Sequence, residues 1–399
     1  MNLIQRRFYF AAAMLFGIYC PSFAVEISAL NPVEQIPKTL TTYYAAMPIT
    51  DSSNSSITSA GTVTSNLGTF DIVIVPNSSL SANTPALNAF NRAAVQWESR
   101  ISDPITVTID GQLAALGPGI IGSASSVVLQ GTYNQIRNQL VANSAPEFDD
   151  AIVASLPTAA TFGATLPVGF SLSGNVLGSK ANLKAMGFTG LDGTFGVSDA
   201  TITFSSAFSF DYDNSDGVTP GMMDFETVAA HEIGHALGFF SSVDDVDADV
   251  QANTPGLVSP TSLDLFRFVD SVNTALDPID TATFATATRN LVPGAVGITD
   301  FGDNAWGIGN EFRMSTGLTQ GDGRQASHWK DDALTGIYIG MLDPTLNFGT
   351  IQQITEADFR ALDLIGYDIT PVPEPSTYAV GCLGLAALCL YSRRRAAVV

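Results

Sequence analysis

Apolar and β-branched residues alternate with polar ones in Phe70-Asp71-Ile72-Val73-Ile74-Val75 and again in Ile105-Thr106-Val107-Thr108-Ile109. A period of two puts successive side chains on opposite faces, so both segments predict strands, the first ended by Pro76 and the second by Asp110-Gly111. Between them, Leu87, Phe90, Ala94 and Trp97 recur at helical spacing and predict an amphipathic helix over 86–101. Strand, helix, strand in that order implies a twisted sheet backed by a helix. A short helix is expected over 133–143, while 150–195 carries no clear period. Thr201-Ile202-Thr203-Phe204 and Phe208-Ser209-Phe210 read as further strand material. The next helix has Asp224 as its N-cap and Val228, Ala229, Ala236 and Leu237 as its apolar cover. After Phe239, aspartate, glycine and proline dominate to about residue 325, predicting a loop-rich stretch. A last helix over 356–365, with Phe359, Leu362 and Ile365 on one face, stops at Gly366. The expected class is α+β, with one domain over 66–370.

The two ends follow a different logic. Arg6 and Arg7, an apolar run from Phe8 to Cys20, and small Ser22 and Ala24 make 1–24 a secretory signal peptide, with a retained anchor as the alternative. Residues 25–65, rich in Ser and Thr, read as a flexible lead or a short pro-region. At the other end, Val372-Pro373-Glu374-Pro375-Ser376 precedes an apolar stretch from Tyr378 to Tyr391 and then Arg393-Arg394-Arg395. An apolar segment closed by arginines is a stop-transfer arrangement. Over 371–399 this order resembles the PEP-CTERM sorting signal of Gram-negative bacteria. The resemblance implies transient membrane anchoring, processing by an exosortase-type enzyme, and a secreted or surface location. A simple C-terminal anchor is the alternative.

Composition sharpens this picture at two points. All three cysteines, Cys20, Cys382 and Cys389, fall in the end segments, so the processed chain would contain no disulfide. Without Arg6, Arg7, Glu374 and the three terminal arginines, 12 Lys and Arg face 37 Asp and Glu, a formal charge near −25. Such a balance argues against nucleic acid and anionic membrane surfaces as partners. It is compatible with calcium binding.

Only three histidines occur, and two of them stand in His231-Glu232-Ile233-Gly234-His235. An i, i+4 pair puts both imidazoles on one helix face, where they can share a metal, with Glu232 beside its open position. The third, His328, completes the three protein ligands a catalytic zinc site needs. Gly238 can take positive φ and turn the chain sharply after the helix. A buried helix whose histidines only hydrogen-bond is the competing account, as is a packing role for His328.

His231 to Phe239 resembles the metzincin clan of zinc peptidases, whose pattern is HExxHxxG followed by a third ligand. In the compact pattern that ligand would fall on Ser241, a poor zinc ligand. The long spacer to Ser327-His328-Trp329, followed by Met341-Leu342-Asp343-Pro344, is similar to the leishmanolysin-like branch. That resemblance implies a metzincin-like fold and Zn²⁺ held by His231, His235 and His328. It also implies Glu232 as general base and Met341 as an apolar floor under the site. This chain departs from leishmanolysin in having no cysteine left for a disulfide or for a cysteine-based latency switch. An ordinary core role for Met341 is the alternative.

Asp244, Asp245, Asp247 and Asp249 form an acidic run that rivals His328 as a ligand source, and they are read as solvated loop residues or calcium ligands. Asp211, Asp213, Asn214 and Asp216 before Gly217 depart from the EF-hand spacing and are read as a solvated turn, with structural calcium as the alternative. The function expected is a secreted or surface-displayed zinc endopeptidase acting on protein or peptide substrates. A catalytically silent matrix or binding protein on the same fold, or a zinc amidase acting on a non-protein bond, are the other classes.

Overall fold

The computed structural model describes residues 31–32, 41–45, 70–144, 152–270, 281–294, 298–301 and 312–370. The expected signal peptide, most of the lead and the C-terminal signal lie outside the described residues. Among the described residues, no helix is long and apolar enough to cross a membrane.

The architecture is mixed α+β. Its main sheet holds six strands: β1 (Thr41–Ala45), β2 (Asp71–Pro76), β3 (Thr106–Ala114), β4 (Ile120–Ser126), β5 (Ala200–Ser205) and β6 (Thr345–Leu346). They are ordered β6-β1-β4-β5-β3-β2. β2, β3 and β5 run parallel, β4 runs antiparallel to β5, and β1 runs antiparallel to β4. Helix α1 (Thr84–Glu98) crosses from β2 to β3, as the strand, helix, strand pattern predicts. Ala86, Ala89, Phe90, Ala93, Ala94 and Trp97 form its buried face.

β3 does not stop at Asp110-Gly111 as expected but runs through to Ala114. Gly111 sits inside the strand because a Cβ there would lie 2.7 Å from Leu80 and 2.9 Å from Phe90. The glycine marks close packing rather than a turn. Of Phe208-Ser209-Phe210, only Phe210 enters a ladder, Phe210–Asp211 against Met223–Asp224. β4 carries little period-two signal, since glycine and serine fill half of it. Helix α2 (Tyr133–Ser144) follows, close to expectation.

Helix α3 (Phe225–Leu237) carries the paired histidines and is buried along almost its whole length. The Asp224 side chain accepts from the Thr227 N–H and caps it, while Trp97 of α1 donates to the Ala230 carbonyl at 2.9 Å. α3 packs beside α1 and against β4, while α1 lies on β2 and, through Phe90, on β3 and β5. One hydrophobic core spans Phe70 to Tyr367, so the last helix, α5 (Glu356–Leu364), shares it with β2.

Between these lies the stretch expected to be loop-rich. It contains helix α4 (Val243–Ala252), which carries Asp244, Asp245, Asp247 and Asp249. These aspartates are therefore not a solvated loop. Val243 and Val246 recur between them and face a second, smaller core with Val258, Leu291 and Ala326. The surrounding irregular chain is held by buried Arg267, which donates to the Ala326 and Ser315 carbonyls, and by Arg289, which donates to those of Leu265 and Ala287.

Candidate metal centre

His231 and His235 project from one face of α3, as the i, i+4 spacing predicts, and His328 meets them from a loop 93 residues beyond His235. The Nε2 atom of His235 lies 3.1 Å from that of His231 and 3.2 Å from that of His328. All three side chains are buried.

Each imidazole is fixed through its other nitrogen. His231 Nδ1 donates to the Met341 carbonyl at 2.7 Å, and His235 Nδ1 to that of Phe239 at 2.7 Å. His328 Nδ1 donates to the Gln325 carbonyl at 3.2 Å. A carbonyl oxygen only accepts, so these partners assign the proton to Nδ1 and direct the Nε2 lone pair into the cluster. Lone pairs facing one another at 3.1 and 3.2 Å repel unless a cation lies between them. Tetrahedral zinc with Zn–N of about 2.0–2.1 Å needs nitrogens about 3.3 Å apart, close to the spacing found.

Electrostatics agree. Burial and the neighbouring imidazoles hold His231 and His328 well below the usual histidine range, and burial lowers His235 to about 4. All three stay neutral near pH 7, the state in which imidazole binds metal.

Glu232 is buried beside the cluster, and neither carboxylate oxygen has a hydrogen-bond partner. Burial pushes its pKa well above the usual carboxylate range. An orphaned buried carboxyl costs several kcal/mol if ionised (roughly) and persists where a nearby cation or a reacting group offsets the cost. Gly122 of β4 makes room for it: a Cβ there would stand 2.4 Å from Glu232 Oε1.

The local turn is built as expected. Gly238 ends α3 with φ of 123° and its Cβ position lies against Asn182, so only glycine fits. The turn sends the chain back so that the next carbonyl, Phe239, receives His235 Nδ1–H. Met341 is buried, and it holds the site through its main chain, by the carbonyl that fixes His231. Gly234, mid-helix, lets Leu342 approach: a Cβ there would be 2.9 Å from it.

One aspartate, Asp358, escaped sequence reasoning, and another, Asp244, has a different role from the one expected. Asp358, the N3 residue of the α5 capping box, accepts from Trp329 Nε1 at 2.8 Å and from the Met341 N–H at 2.7 Å. One carboxylate thus ties the residue after His328 to the segment that orients His231. Thr355-x-x-Asp358 is a capping-box spelling, the one trace of this in the sequence. Asp244 accepts from the Ala326 and Ser327 N–H groups and from Ser327 Oγ, anchoring the His328 loop to α4. It is not a ligand to the histidine cluster, and Asp247 instead accepts from the Thr319 and Gln320 N–H groups. Ser241 spends its side chain on Asp264.

The Asp211 loop is closed by its own hydrogen bonds, from Thr219 and Asp213 to the Asp211 carboxylate. Asn214 reaches back to Asp224, the cap of α3. Among the described residues, Asp331, Asp332 and Asp343 also converge.

Residues 371–395 match the PEP-CTERM protein-sorting motif. The motif supports an extracellular or surface destination reached through C-terminal processing by an exosortase. No curated protein and no solved structure matches the chain.

Proposed function

We propose that the protein is a secreted or surface-displayed zinc endopeptidase of metzincin-like type. The observation that carries the reading is the convergence of three buried Nε2 atoms, each with its Nδ1 anchored to a carbonyl, beside a buried glutamate with no partner. His231, His235 and His328 would hold Zn²⁺, which supplies Lewis-acid polarisation and an acidified water to such a site.

The remaining roles fall to the chain itself. Glu232 accepts a proton from the attacking water and returns it to the leaving amine nitrogen as the C–N bond breaks. Gly122 leaves the space in which that carboxylate moves, and the carbonyls of Met341, Phe239 and Gln325 keep the imidazoles in one tautomer.

Metal analysis of the purified chain, alongside cleavage of a peptide library, tests this. Glu232→Gln is expected to retain about one zinc per chain while hydrolysis falls roughly 10²–10⁴-fold. His328→Ala is expected to lose stoichiometric zinc. Full activity in the first variant, or undiminished zinc in the second, overturns the assignment.

A further inference from the structure

The three imidazoles are not held equally. His231 Nδ1 and His235 Nδ1 each donate to a carbonyl at 2.7 Å, whereas His328 Nδ1 reaches that of Gln325 at 3.2 Å. The first two rings also share a helix, while the third sits on irregular chain. A ring with the longest direct bond and no helix beneath it takes its place from whatever holds its segment.

Ser327, the residue before His328, is fully buried and bonded on two sides. Its Oγ donates to the Asp244 carboxylate on α4 and accepts from the Ser241 N–H at 2.9 Å. Ser241 lies just past the turn that ends α3. It is immobilised in its own right, because its Oγ donates to the buried carboxylate of Asp264. Asp264 also accepts from the Ser242 N–H at 2.9 Å, from Ser242 Oγ, and from the Thr261 N–H at 2.8 Å. Thr261 Oγ1 in turn donates to the Phe240 carbonyl at 2.8 Å.

One three-residue stretch therefore meets both sides of the cluster. The Phe239 carbonyl takes the Nδ1–H of His235, and two residues on the Ser241 N–H takes hold of the neighbour of His328. In the space of a serine, only a hydroxyl can accept from that N–H and donate to a carboxylate at once. Alanine does neither.

We infer that Ser327 is a positioning residue for the third imidazole, a latch that joins the turn after α3 to α4 and sets the gap between His328 and His235. It acts through the main chain and contacts neither ion nor substrate. The inference rests on the metal half of the proposed function and is independent of the peptidase half.

The test compares Ser327→Ala, Ser327→Thr and Ser242→Ala in the full chain. Ser242→Ala removes a buried hydroxyl from the same Asp264 network, one that also donates to the Ser259 carbonyl, without touching Ser327. Three readouts are taken: zinc affinity by competition with a chelator, the visible bands of the Co²⁺-loaded protein, and denaturant unfolding of the metal-free chain.

Ser327→Ala is expected to bind zinc about 10–100-fold more weakly and to shift the Co²⁺ bands. Ser327→Thr, which keeps the hydroxyl, should recover most of the affinity. Ser242→Ala should unfold more easily while keeping the parent's zinc affinity and bands. Parent-like affinity and bands in Ser327→Ala overturn the proposal, as do equal changes in Ser242→Ala or a threonine variant no better than the alanine one. Failure of metal-free Ser327→Ala to fold also overturns it, by making Ser327 a folding residue. The expected metal results in a chain that cleaves no peptide uphold the latch and sink the peptidase reading.

Discussion

His231 and His235 are spaced by a single helix, whereas His328 is placed by contacts from two segments far apart in the chain. The helical pair is spaced by α3, its Asp224 cap and the Gly238 turn, and takes one acceptor from elsewhere, the Met341 carbonyl on His231 Nδ1. The third ring hangs from Asp244 on one side and, through Trp329, from Asp358 on the other. Local geometry supplies two imidazoles at a fixed separation. A third imidazole from outside the helix makes the cluster dependent on the docking of the C-terminal third of the chain.

Disrupting the long-range side should cost most. Asp358→Ala strips the acceptor from Trp329 Nε1 and from the buried Met341 N–H, each an unsatisfied donor worth about 1–3 kcal/mol. A loss of roughly 3–5 kcal/mol in denaturant unfolding is expected, with zinc affinity lowered about 10–100-fold. A variant with wild-type stability and zinc binding would show that His328 is positioned by its own loop.

The local side should be less sensitive. Gly238→Ala forces a side chain into φ of 123° against Asn182, at a cost of about 1–3 kcal/mol. Zinc should remain bound in this variant, with its dissociation faster than in the parent. Complete loss of metal would mean that the turn matters as much as the distant clamp.

The smallest effect is expected at a control position. Burial raises Asp103 to about 7, although its carboxylate accepts from the Asp368 N–H. A raised folded pKa means that stability is fully present below the unfolded value near 4 and is lost as pH rises through about 7. Asp103→Asn keeps an acceptor for that N–H and removes the titration. Its melting temperature should exceed the parent's by about 2–4 °C at pH 8 and match it near pH 4. A shift of equal size at both pH values would remove ionisation as the cause.

What could be read from the sequence follows the same division. The i, i+4 spacing, the Asp224 cap, the Gly238 turn and the β2, α1, β3 order all depend on neighbours within a few residues, and all were legible. His328 was legible only because no other histidine existed to fill the third place. Asp358 was not, because its partners lie 17 and 29 residues away and a capping box looks the same whether or not it also clamps a loop. The acidic run on α4 was misread because its charge masked the valine period at Val243 and Val246. Gly111 misled in another way: a glycine that relieves crowding between strand and helix carries the same letter as one that makes a turn.

Asp358 stands close to the end of the folded body, in its last helix. Synthesis and export proceed from the amino end, so a chain still emerging has its first two imidazoles before the carboxylate that steadies the third. On the zinc reading, firm capture of an ion would therefore wait until nearly the whole polypeptide has crossed, and the order in which the chain arrives would time the chemistry.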